Sequence, residues 1–244
     1  MHQGLLNSPQ KPIYLLADSR PLFWRKDGLL FLKLISRSVE IEPVRAAYLG
    51  ASNGDNVDYY SLFEASMQGI GVYNCRMIRS SFPVEDASFI DEADIILLAG
   101  GDVGRGCDAF RKSGLDKVIV RRYDEGAILI GISAGAVQLG LSSMNKDALS
   151  GGELFETLKL VPFMVGVHDE AREWAQLKAA LSLADGDVRG IGIPHGAGVV
   201  YHADRGVEPL RHPIYKFSKK SGQLTQCLLF PQTSAGLRKP FEAH

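Results

Sequence analysis

The chain predicts an α/β fold: a mostly parallel sheet, helices on both faces, and a nucleophile elbow after a central strand. Three observations predict it. Apolar runs alternate with segments of helical period. The runs at 94–99 and 127–132 lack in–out alternation, as strands covered on both sides do. The second of these runs ends in Gly131-Ile132-Ser133-Ala134-Gly135, where small residues let a strand turn sharply into a helix.

The elements follow in order. Ile13 to Ala17 reads as the first strand. Asp18 to Gly28 holds Arg20, Pro21, Phe23, Trp24 and Arg25, aromatics that pin a loop to the core or line a pocket. Leu29 to Val39 has helical period, and Arg45 to Ala51 reads as a buried strand before a polar Ser-Asn-Gly-Asp-Asn turn. Asp58 to Gly69 is an amphipathic helix ending at glycine. Val72 to Ile78 is a strand, Ala87 to Ala93 a helix, and Asp94 to Ala99 a strand opening onto Gly100-Gly101-Asp102. Leu115 to Glu125 is a helix and Ala127 to Ile132 the elbow strand. Leu160 to Val167 is apolar and ends at His168, which a strand end presents at the same sheet edge as the elbow. Glu170 to Leu183 is helical; Val188 to Ile193 and Gly198 to Tyr201 are strands around a Pro194-His195-Gly196 turn; Gln226 to Phe230 is the final strand. Nothing reads as a linker or repeat, so residues 1–244 are expected to form one domain.

Composition narrows the function. With 45% hydrophobic and 23% charged residues the chain is globular. A net charge of −1 and scattered lysines and arginines give no footprint for nucleic acid. No apolar run approaches the ~20 residues that span a bilayer, and Met1 to Pro12 lacks the apolar core of a secretion signal. Cys75, Cys107 and Cys227 are odd in number and widely spaced, which suits reduced thiols and a cytoplasmic location rather than disulfides or zinc. The six histidines offer no ligand spacing, so neither metal nor cofactor is expected.

Ser133 at the elbow is the candidate nucleophile. The following helix start leaves backbone N–H groups free to face a developing oxyanion: that of Ala134 directly, with a second from the Gly100-Gly101 loop. His168 is the candidate base, with His195, His202 and His212 as competitors. An ordinary βα turn with a capping serine is the structural alternative.

Taken in order, Ala-Gly-Gly-Asp (99–102), Gly-Ile-Ser-Ala-Gly-Ala (131–136), Val-Pro-Phe…His (161–168) and Gly-Ile-Gly-Ile (190–193) resemble peptidase family S51, which contains dipeptidase E and cyanophycinase. The resemblance spans roughly residues 45–202. It implies a three-layer flavodoxin-like domain similar to class I glutamine amidotransferases, with serine in place of cysteine. It also implies Ser133 as nucleophile, His168 as base, and Gly101 with Ala134 as the oxyanion hole. Arg172, just after the histidine, falls where cyanophycinases carry an arginine-bearing segment and is a candidate for a substrate carboxylate.

The departures concern the third triad member and the substrate. Cyanophycinases place an acid after the Gly-Ile-Gly-Ile strand; here that residue is His195. Dipeptidase E takes its acid between serine and histidine, where this chain offers Asp147, Glu153 and Glu156; Asp147 lies closest to that position. The cyanophycinase loop glutamine is Val103 and the dipeptidase's third loop glycine is Ala99. His195 and Asp102 join Arg172 as candidate substrate contacts, although Asp102 opposes an anionic substrate unless it is turned away or paired.

The expected function is a serine hydrolase that cleaves a peptide or isopeptide bond, in a small peptide with an acidic residue, through an acyl-enzyme. A non-catalytic binding protein on the same scaffold, or an amide or ester hydrolase of a biosynthetic pathway, are the alternatives. The expected partner is a small peptide or amide substrate, with no nucleic acid and no membrane; a homodimer stays open.

Overall fold

Five of the apolar runs fold side by side because each is buried on both faces. The computed structural model describes residues 10–26, 28–39, 43–144 and 152–232. The chain runs β1 (Ile13–Leu16), a two-stranded ribbon β2 (Arg25–Lys26) and β3 (Leu29–Leu30), and α1 (Phe31–Ser36). Next come β4 (Arg45–Leu49), α2 (Val57–Gln68), β5 (Asn74–Ile78), α3 (Val84–Ile90), β6 (Ile95–Leu98), α4 (Val103–Ser113) and α5 (Leu115–Asp124). The elbow follows as β7 (Ile128–Ile132) and α6 (Ala134–Gln138). The remainder is β8 (Ser142–Met144), β9 (Leu154–Glu156), β10 (Met164–Val167), α7 (Ala175–Leu183), β11 (Val188–Ile193), β12 (Gly198–His202), β13 (Gly206–Leu210), β14 (Ile214–Lys220) and β15 (Gln223–Leu229).

The main sheet has the order β13-β12-β1-β7-β6-β4-β5. From β1 to β5 all neighbours are parallel; β12 and β13 close one edge antiparallel. Alternate residues of one strand enter different cores. Leu15, Leu98 and Leu129 pack with Phe110, Ile119 and Val137 of α4, α5 and α6. Leu16, Leu97 and Ile130 pack with Phe31, Ile35, Phe63 and Met67 of α1 and α2. That two-sided burial explains the unbroken apolar runs, and each such side chain contributes about 1.5–3 kcal/mol.

Several expectations need correction. Helix α4 was not foreseen, because its apolar face is little more than Val103, Cys107 and Phe110, and Gly104 and Gly106 lower its helix propensity. The helix expected over Leu29 to Val39 is shorter, its first residues forming the ribbon. The helix expected over Glu170 to Leu183 is broken: Glu173 and Trp174 both take left-handed backbone, and only Ala175–Leu183 is α-helical. The strand ending at His168 does not belong to the elbow's sheet. A second sheet, β10-β11-β14-β15, carries it, covered by Trp174 and by Leu177 and Leu181 of α7. The Pro194-His195-Gly196 turn passes the chain from the second sheet (β11) to the first (β12). Among the described residues no helix is long and apolar enough to cross a membrane.

Candidate active site

Ser133 stands between β7 and α6 with φ 51° and ψ −111°, a conformation L residues rarely hold. Its N–H donates to the Leu16 carbonyl at 2.8 Å, tying the corner to β1. Gly135 lets α6 come down onto β6: a Cβ there would sit 2.0 Å from the Leu98 carbonyl oxygen. The strained corner is thus fixed by close backbone packing on both sides.

His168 follows β10 with φ 40°, and its N–H donates to the Ile193 carbonyl at 2.9 Å. Its Nε2 lies 2.8 Å from Ser133 Oγ. The two sheets therefore meet at this pair, the hydroxyl coming from one and the imidazole from the other.

The N–H of Ala134 is the first of α6 and has no acceptor among the described residues. The Gly100-Gly101 loop lies against the serine: a Cβ at Gly100 would be 3.3 Å from Ser133 Cβ. Asn53 Nδ2 donates to the Gly100 carbonyl at 3.1 Å. In a trans peptide the N–H of Gly101 then points the opposite way, and it too has no acceptor among the described residues. Gly101 has φ 142°, and a Cβ there would strike the Ser52 carbonyl at 2.3 Å. Gln138, fully buried, donates to Ser52 Oγ at 2.9 Å and to the Val103 carbonyl at 3.2 Å, linking α6 to both loops. Sequence reasoning missed Asn53, Ser52 and Gln138; the last had a signal, as the one long polar side chain in the small and apolar run 134–140.

No carboxylate comes within ion-pair distance of His168 among the described residues. Asp147 lies outside the described residues. Glu156 pairs with Lys159 on the surface and Glu153 is exposed; neither reaches the imidazole. The neighbour of His168 is His195, whose ring is stacked on it with centroids 5.2 Å apart and planes 16° from parallel. Parallel pairing of Val167 with Ile193 brings these positions together. His195 Nδ1 lies 3.6 Å from Asp18 Oδ2, and its backbone N–H donates to Glu170 Oε1 at 3.1 Å. Burial pushes the Asp18 carboxyl up, but backbone N–H groups of Gly196 and Arg20, the Arg20 charge and His195 outweigh it and hold it below the usual carboxylate range. Asp18 was not among the residues singled out.

A cavity of about 220 Å³ opens on one side of the pair, where Arg172, Asp169, Asp102, Met144 and Met164 line it with Ser133 and His168. Arg172 Nε donates to buried Asp169 at 2.7 Å; its two terminal nitrogens have no partner among the described residues. Asp102 is turned into the N-cap of α4, accepting from the Arg105 N–H at 2.8 Å. His202 and His212 lie elsewhere, His202 near Glu208 and His212 beside Gly196. Burial pushes the Cys107 thiol up to about 11, leaving it unsuited to nucleophilic chemistry.

The model of peptidase family S51 matches residues 45–207. The chain is 27% identical to an uncharacterized peptidase, YgaJ, of Bacillus subtilis (strain 168) over 46% of this chain and 49% of that protein. It is 28% identical to peptidase E of Streptomyces coelicolor (strain ATCC BAA-471 / A3(2) / M145) over 48% and 53%. The match thus spans about half the length of these curated relatives. The crystal structure of a peptidase from an acI-B1 Actinobacterium superposes with a TM-score of 0.65 at 16% identity, covering 91% of this chain and 98% of that one, which shows a shared fold.

Proposed function

The chain belongs to peptidase family S51, and from that premise we propose that it is a serine hydrolase cleaving a peptide or isopeptide bond in a small acidic peptide through an acyl-enzyme. The observation that carries the reading is the 2.8 Å contact between Ser133 Oγ and His168 Nε2.

In the proposed cycle Ser133 Oγ attacks the scissile carbonyl carbon while His168 Nε2 takes the hydroxyl proton. The Ala134 and Gly101 N–H groups receive the resulting oxyanion. Collapse breaks the C–N bond, and His168 returns the proton to the departing amine. A water then attacks the ester, again with His168 as base, releasing the acid and restoring the serine. His195 acts as a positioning residue. Its flat face limits rotation of the His168 ring, and Asp18 beyond it supplies negative potential toward the transient imidazolium. The free edge of Arg172 suits a substrate carboxylate. The reduced cysteines favour a cytoplasmic enzyme.

The absence of a carboxylate at His168 among the described residues favours one second reading, a binding protein that uses the same cleft without turnover. Incubating the protein and its Ser133→Ala variant with a panel of Asp- and Glu-containing dipeptides separates the two. Hydrolysis by the parent and none by the variant supports the hydrolase. Equal peptide binding by both, with no cleavage by either, overturns it.

A further inference from the structure

A second cleft, of about 520 Å³, opens on the other side of Ser133 and His168 from the Arg172 cavity. The two clefts share Gly101, Ser133 and His168 as their common wall. The lining of the second is of a different kind. Leu22, Phe63, Leu97 and Ala99 form its floor. At its mouth stand Phe23, Tyr59 and Leu62, with 47%, 57% and 49% of their surfaces exposed. Three such residues gathered around one opening mark a surface that a ligand or partner covers.

Two of the polar side chains that line the cleft, Asp18 and Asn53, are already engaged. Asp18 accepts from the Gly196 and Arg20 N–H groups and faces His195. Asn53 spends its amide protons on Tyr48 Oη and the Gly100 carbonyl. What remains for an occupant is mainly hydrocarbon and aromatic surface, within reach of the reactive hydroxyl.

We propose that this cleft is a substrate subsite for a large apolar side chain, so that the scissile bond joins an acidic residue held at Arg172 to an aromatic or branched aliphatic residue held among Phe23, Tyr59 and Leu62. This rests on the hydrolase reading for its direction along the peptide, and only on the cleft for its binding. Burying a phenyl or isobutyl group there favours that substrate by about 10- to 100-fold over glycine.

Two measurements test it. The first compares kcat/KM for Asp-Phe and Asp-Leu with Asp-Gly, and for Phe-Asp with Gly-Asp. The second titrates the same peptides calorimetrically into Ser133→Ala and into Ser133→Ala/Leu62→Asp; Leu62 is half exposed, and thermal melting checks that the double variant is folded. A preference of at least tenfold for the apolar residue in one order, in turnover or in Kd, and its loss with Leu62→Asp, is expected. Glycine peptides matching the apolar ones within twofold in both orders, or Leu62→Asp changing oligomeric state but not preference, overturn the subsite. A fluorophosphonate separates the two claims. Labelling of Ser133 without side-chain preference removes the subsite alone, and selective binding without labelling removes the hydrolase alone.

Discussion

The imidazole of His168 lies flat against that of His195, with ring centroids 5.2 Å apart and planes 16° from parallel. Among the described residues no carboxylate comes within ion-pair distance of this base; a second ring, itself facing Asp18 at 3.6 Å, packs on its face. His195→Ala is therefore expected to lower kcat/KM by about 10- to 100-fold, a share of the 10²–10⁴ that a positioned base supplies. His195→Phe, which keeps the flat face but drops the Asp18 contact, should recover part of that loss. Steady-state kinetics with melting temperatures as a folding control check both.

Arg172 lines the cavity while Asp169 holds its Nε, and its terminal nitrogens have no partner among the described residues. Arg172→Ala should raise KM for acidic peptides about tenfold with a smaller change in kcat, and Arg172→Lys should restore part of the affinity. A matched pair such as Asp-Leu and Asn-Leu reads the effect. The variant should narrow the difference between them.

Gly135 lets α6 close onto β6 with no room for a methyl group. Gly135→Ala is expected to cost about 3 kcal/mol, which in a chain of this size lowers the melting temperature by about 6–12 °C. Because the elbow moves with α6, phosphonate labelling of Ser133 should also slow. Calorimetry and a labelling time course test the two together.

Asp86 is buried between Arg76 and Arg79. Burial alone pushes its carboxyl up, but the Arg79 N–H and the Arg79 and Arg76 side chains outweigh it and hold the group below the usual carboxylate range. A folded-state value lower than the unfolded one adds stability that is complete above the unfolded value, near pH 4, and is lost as pH falls through the folded one. Asp86→Asn should cost about 1–3 kcal/mol at pH 7, since both arginines are partly solvated, and progressively less below pH 4. Urea unfolding of both proteins from pH 7 down to pH 2.5 measures it.

How far the sequence could be read depends on the range of each interaction. The strands at 94–99 and 127–132 and the elbow were legible because two-sided burial and the Gly-x-Ser-x-Gly spacing are local. Helix α4 was hidden because its apolar face is little more than Val103, Cys107 and Phe110 in an otherwise polar, glycine-bearing segment, while its start is set by the Asp102 cap. The second sheet was missed because short runs such as Met164–Val167 do not state which partner they pair with. The stacking of His168 on His195 needs the register of β10 against β11, and the bond from the Gly196 N–H to Asp18 joins positions 178 residues apart. Trp24 of the segment 18–28 does pin its loop, packing on Phe31 with Arg211 over its ring, while neighbouring Phe23 lines the apolar cleft.

The most direct measurement is intact-mass spectrometry after reaction with a fluorophosphonate, followed by peptide mapping. A single adduct on Ser133, absent in Ser133→Ala and formed at least 100-fold more slowly in His168→Ala, is expected. A folded parent protein that takes up no adduct, or one whose Ser133 reacts as fast without His168, would contradict a nucleophile activated across the 2.8 Å contact.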